Sequence, residues 1–178
     1  PQRAALDRQH SGKLSGGRMM ELLLKGAMVG CIATIVLDLW AIVAKNLLKI
    51  PPPSWPMVGR WIGHMKNGTF IHRPISNSSA ITGEAVIGWG FHYAIGIAYG
   101  VAYLAILNSY FGGQVSLIAA LLLAWALLVA PWCVMQPGLG AGLFARKAPK
   151  PNLMRAGSFM GHSVFGLGLY LGTKLLVA

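Results

Sequence analysis

Residues 22–44, LLLKGAMVGCIATIVLDLWAIVA, form an apolar run entered by Lys25 and interrupted by one carboxylate, Asp38. As a helix rising 1.5 Å per residue, the run is roughly 34 Å long and exceeds a hydrocarbon core about 30 Å thick. It reads as a membrane span. Gly26, Gly30, Thr34 and Asp38 recur at every fourth position, so they share one stripe, while Leu24, Val29, Val36 and Leu39 face elsewhere. The stripe therefore faces protein and the apolar sides face lipid. A carboxylate so far from water is costly unless another helix supplies a partner. Identifying that partner is the central problem posed by the sequence.

The rest of the chain has the same character. Of its 178 residues, 55% are hydrophobic and only 11% charged, far from the roughly one-quarter charged residues of a soluble domain. This implies an integral membrane protein. The net charge of +11 belongs in loops beside anionic lipid, and nucleic acid is not needed to explain it. Cys31 and Cys133 lie in apolar runs without a CxxC pair, which predicts buried thiols and neither a disulfide nor metal ligation. Residues 1–18, PQRAALDRQHSGKLSGGR, are polar and lack apolar periodicity, which predicts a disordered tail. The apolar stretch behind them is too long for a cleaved signal peptide.

Pro51, Pro52 and Pro53 stop the first helix. Ser54 can then cap a short helix in which Val58, Trp61, Ile62 and Met65 share a face, as expected for a helix lying in the membrane interface. His64 and His72, in this first connection, read as exposed. Further spans are predicted at about 84–107, 115–135 and 156–177. In the second, Gly88, His92, Gly96 and Gly100 repeat every four residues, a close-packing pattern. The short basic-free connection at 108–114 predicts a tight hairpin between the second and third spans. Pro131 predicts a kink near the end of the third, and the glycines of Gln136–Gly142 predict tight turning rather than a phosphate loop, since no strand precedes them. Gly161, Gly168 and Gly172 predict close packing of the fourth span, as Gly26 and Gly30 do for the first.

Four spans place the first and third connections on one side, with Lys45, Lys49, Arg60, Lys66, Arg73, Arg146, Lys147, Lys150 and Arg155. The other side carries Lys25, Lys174 and four cations of the N-terminal tail. The positive-inside rule thus predicts cytoplasmic connections. Counted from that face, Asp38, His92 and His162 all lie roughly 9–12 Å deep. From the third span Cys133, Met135 and Gln136 are the nearest candidates.

Three readings of Asp38, His92 and His162 compete. They can form a buried polar clamp that fixes helix register. Two histidines and a carboxylate can instead hold a metal ion, or the two histidines can flank a haem. The third reading is a path for protons or cations. A paired-carboxylate site is excluded, since Asp38 is the one acid inside the predicted spans.

The runs ATIVLDLW at 33–40, GRWIGHM at 59–65, HYAIG at 92–96, MQPGLGAG at 135–142 and HSVFGLGLY at 162–170 resemble the bacterial inner-membrane family known as domain of unknown function 2938. The resemblance covers about Met20 to the C-terminus, and residues 1–18 depart from it. It implies a bacterial four-helix membrane protein and supplies no activity.

The expected molecule is thus an all-α, four-span transmembrane bundle with an interfacial helix in its first connection. Its expected role is non-enzymatic, as an accessory or assembly subunit packing against a larger membrane complex or a second copy. No cofactor is the favoured expectation, with metal or haem at Asp38, His92 and His162 as the alternative. Anionic lipids are the expected surroundings of the basic connections. The rival function is transport of a proton, cation or small molecule through the Asp38 site.

Overall fold

The computed structural model describes residues 2–177, with side chains from residue 16 onward. No proline lies between residues 2 and 50, and the first helix, α1, runs Gln2–Leu47. Gly16, Gly17 and Arg18 belong to it. The rest of the tail expected to be disordered at 1–18 lies outside the described side chains. After the three prolines comes α2, Trp55–Met65, whose first turn is closed by Val58 N–H donating to the Ser54 carbonyl at 3.1 Å. A single 3₁₀ turn at Ile75–Asn77 leads to α3, Glu84–Tyr110.

The third apolar run begins as α4, Leu117–Ala126, with Ser116 Oγ accepting from Ala119 N–H at 3.2 Å. Pro131 lacks the amide hydrogen that would continue the ladder, and the helix widens into a π segment over Ala130–Met135 before closing as α5, Gln136–Leu139. Gly140, at φ 94°, ends it in the left-handed region that glycine occupies without penalty. The last helix, α6, is Pro151–Leu176 and starts before the boundary expected near residue 156. Gly16–Leu47, Glu84–Tyr110 and Leu117–Leu139 are long and apolar enough to cross a membrane. In α6, glycine, serine and His162 dilute the leucines, and it falls short of the other three in apolarity.

The helices pack as a row. α1 lies between α3 and α6, α4 lies on the far side of α6, and α2 covers the start of α3. The tight hairpin predicted between the second and third spans is not formed, since α3 and α4 barely touch. The physical reason is competition for small faces. α3 spends its glycines on α1: a Cβ on Gly30 would lie 2.7 Å from Ile97 Cα, one on Gly100 2.6 Å from Gly30 Cα, and one on Gly26 2.6 Å from Val101 Cα, while one on Gly96 would run into Thr34 Oγ1. α4 instead meets Gly166 of α6 through Ala120 and Ala124. Gly168 and Gly172 receive Ala33 and Ile32 of α1, Gly161 has only ordinary contact with Leu37, and Gly88 receives Trp55 of α2 rather than another long helix.

Two cores result. The larger joins Val29 and Ala33, Tyr103, Leu104 and Leu107, Ala119 and Ala120, and Phe165 and Leu169, near the α3–α4 turn. The smaller joins Val58, Trp61 and Ile75, with Phe91, Met135 and Leu139 against it, at the opposite end. Cys31 and Cys133 are free and only half-buried. Gly30→Leu drives a side chain into the α3 backbone, which has no rotamer with which to yield. Its cost is at or above the usual upper end for overpacking, about 3 kcal/mol, read as a lost or lowered unfolding transition in detergent. Gly90→Leu, into open space, leaves the transition unchanged.

Candidate functional site

Between the two cores lies a polar seam. Asp38 is one helical repeat beyond Thr34, and His92 one before Gly96, so the stripe that lets α1 and α3 touch also brings these side chains together. His92 Nε2 lies 2.9 Å from Asp38 Oδ1, and Tyr93 O–H donates to Asp38 Oδ2 at 2.9 Å. The His92 side chain is 7% exposed and that of Asp38 23%. Trp55, the first residue of α2, stacks on His92 with centroids 3.9 Å apart and planes 22° apart. Trp89 approaches His92 edge-on at 5.7 Å. Trp55 can reach His92 because α2 and α3 cross at Gly59 and Gly88, where a Cβ on Gly88 would lie 2.6 Å from the Trp55 carbonyl carbon.

His162 is not part of this group. Its Nδ1–H donates to the Ser158 carbonyl of its own helix at 2.9 Å, and Ser158 Oγ is 3.4 Å from Nε2 of the buried Gln136. Equal depth did not ensure convergence because direction around the helix matters as well. α6 faces α1 with Gly161, Gly168 and Gly172, and His162, about 100° round from Gly161, points away from that face. Gln136, the third-helix candidate, therefore meets the His162 side of α6 rather than Asp38. The Gln136 Oε1 and Trp132 Nε1 atoms beside the π segment are buried without protein partners.

The expected three-ligand metal set of Asp38, His92 and His162 is not assembled. Among the described residues no group of three or more His, Cys, Asp or Glu is gathered where it could hold a metal ion. The His92 ring carries Trp55 on its face and Asp38 at its Nε2.

Sequence reasoning missed the aromatic members of the seam and an anchor next to it. Tyr93 adjoins His92 in sequence, but a tyrosine in an apolar helix carries no sign of what its hydroxyl will meet. Arg60 and Glu84 form a two-pronged ion pair, Nε–Oε2 2.8 Å and Nη2–Oε1 2.9 Å, and Arg60 Nη1 also donates to the Ser78 carbonyl at 3.0 Å. Hydrogen bonding to Glu84 raises the Arg60 pKa above its ordinary value, so this cation stays charged throughout the physiological range. The pair ties α2 to the start of α3. His72, expected to be exposed, is buried, because the first connection folds back on α5.

Chemically, the seam is a carboxylate receiving two hydrogen bonds from one neighbouring helix, which ties α1 to α3. Tyr93→Phe removes one of those bonds and costs about 0.6–1.7 kcal/mol, the range of measured hydrogen-bond couplings between membrane helices. In a double-mutant cycle Asp38→Ala and Tyr93→Phe couple by that amount, whereas Asp38→Ala and His162→Ala are additive within about 0.5 kcal/mol. Unfolding midpoints of the four proteins of each cycle provide the check.

No curated protein and no solved structure matches the chain. A family model described as "Protein of unknown function (DUF2938)" matches residues 27–176, which takes in α2 to α6 and the part of α1 that bears Asp38. The chain belongs to the DUF2938 family.

Proposed function

We propose that this protein is a four-crossing membrane subunit with a non-enzymatic role, packing through the outer face of α3 against another membrane helix. Support for the crossings comes from the three long apolar helices and from α6. At about 1.5 Å per residue α6 is long enough to span, and Phe159, Leu167, Leu171 and Leu175 are exposed along it. α2 is the interfacial helix, with Trp55 and Trp61 at the level where indoles are favoured. The connections beside α2 and before α6 face the cytoplasm of a bacterial inner membrane, where their cations meet anionic headgroups.

The observation that carries the reading is on α3. Its inward glycines, Gly88, Gly96 and Gly100, are occupied by α1 and α2. Gly90, Ala94 and Ala98, however, recur every four residues on the outer side, and all three are exposed. Trp89, Val86 and Tyr93 surround Gly90 on this open face. Small residues at that spacing let a further helix approach closely, which is how membrane helices associate when lipid removes the hydrophobic drive.

A photo-crosslinking residue placed at Ala94 in intact membranes gives a discrete protein adduct, and Gly90→Leu suppresses it without affecting folding. The same residue at Leu175 of α6 gives only lipid adducts. Lipid adducts alone at Ala94 would contradict the docking role.

A further inference from the structure

We propose that His64 and His72 form an acid-sensitive latch holding the first connection against the end of the third apolar helix. His72 is 6% exposed, its Nδ1 lies 2.8 Å from Ser78 Oγ, and its Nε2 is buried without a partner. It sits where two segments distant in sequence are tied together. Its backbone N–H donates to the Gly138 carbonyl at 3.0 Å, and its own carbonyl packs so closely on Gly140 that a Cβ there would lie 2.8 Å away. Next to it, Trp61 donates its indole N–H to the Phe70 carbonyl at 2.8 Å and lays its ring on Gly138. The His64 ring stands edge-on to His72 with centroids 5.2 Å apart, and its Nε2–H donates to the Ser79 carbonyl at 2.9 Å. Both imidazoles are thus held by consecutive serines of one short segment.

Among the described residues the surroundings offer a second positive charge no counter-ion. Of the described acids, Glu21, Asp38 and Glu84, only Glu84 lies beside the connections, with both carboxylate oxygens engaged by Arg60. From α2 come His64, Arg60 and the exposed Lys66; from the connecting segment, Arg73; from α3, Glu84 alone. α5 contributes the neutral Gln136, and the turns after it Arg146 and Lys147. A proton arriving on buried His72 therefore meets burial and like charge.

Burial first, and the charge of His64 second, lower the His72 pKa below its ordinary value of about 6.5. The opened connection, with His72 in water, binds a proton more readily than the latched one. Latching is accordingly at full strength above about pH 6.5 and weakens as the pH falls below it, by up to about tenfold per pH unit for one proton. Opening would free residues 66–82 from α5 while leaving the α1–α3 crossing in place.

Hydrogen exchange on the full chain in nanodiscs, corrected for the intrinsic pH dependence of exchange, tests this between about pH 8 and pH 5. Protection of residues 66–82 and of 136–142 falls together below about pH 6.5 in the natural sequence, while α1 stays protected. His72→Asn abolishes that fall, and His64→Gln makes it shallower, since without the like charge the latched His72 accepts a proton more readily. Flat protection in the natural sequence, or an unchanged fall in His72→Asn, overturns the latch. Should His72→Asn fail to fold, a fall of unchanged depth in His64→Gln overturns it equally.

Discussion

Everything in this molecule depends on how closely the backbones of α1 and α3 approach. Where Gly26 and Gly30 meet Gly96 and Gly100 there is no room even for a methyl group, so the two helices touch main chain to main chain. In lipid no hydrophobic gain favours helix association, and close van der Waals contact over such a surface is the main source of affinity. Thr34, set into the same contact, satisfies its hydroxyl on the Gly30 carbonyl at 2.8 Å and demands nothing of α3. The contact is therefore apolar and tight along its centre.

The polar seam follows from that approach. Continuing the α1 stripe by one repeat places Asp38 opposite His92 and Tyr93, where the carboxylate oxygens take one hydrogen bond each. An ionisable side chain between these apolar helices is tolerated because its partners are held in place, His92 by Trp55 on its ring and α2 by the Arg60–Glu84 pair. The seam separates the two cores, so the helix-row core and the connection core meet at a group of hydrogen bonds rather than at apolar contacts. Side chains from three helices must be in register at once, which makes the seam a specifier of arrangement more than a large source of stability.

What the sequence could reveal was whatever periodicity encodes. The apolar runs located the long helices, though α1 begins at Gln2, well before its apolar run, and the depth count put Asp38 at the level of His92, on the four-residue stripes along which α1 and α3 meet. The same counting failed for His162, because depth along a helix says nothing about direction around it, and α6 turns its glycines, not His162, toward α1. The splaying of α3 from α4 was also hidden, since it depends on which of two small faces each helix fills. Burial of His72 arises from the docking of a non-helical segment onto α5 and leaves no periodic trace. The Arg60–Glu84 pair joins residues of different elements, and nothing in their spacing announces it.

The account stands on the α1–α3 crossing delivering Asp38 to His92 inside a bilayer. Solid-state NMR measurement of carbon–nitrogen dipolar coupling, with ¹³C in aspartate carboxyl groups and ¹⁵N in histidine rings, observes that contact directly in lipid. Asp7→Asn leaves Asp38 as the only labelled aspartate. A strong coupling to one histidine nitrogen, lost in His92→Gln and retained in His162→Gln, is the predicted result, consistent with the 2.9 Å separation of Nε2 and Oδ1. Absence of coupling in the folded protein, or its loss in His162→Gln instead, would contradict the crossing as described.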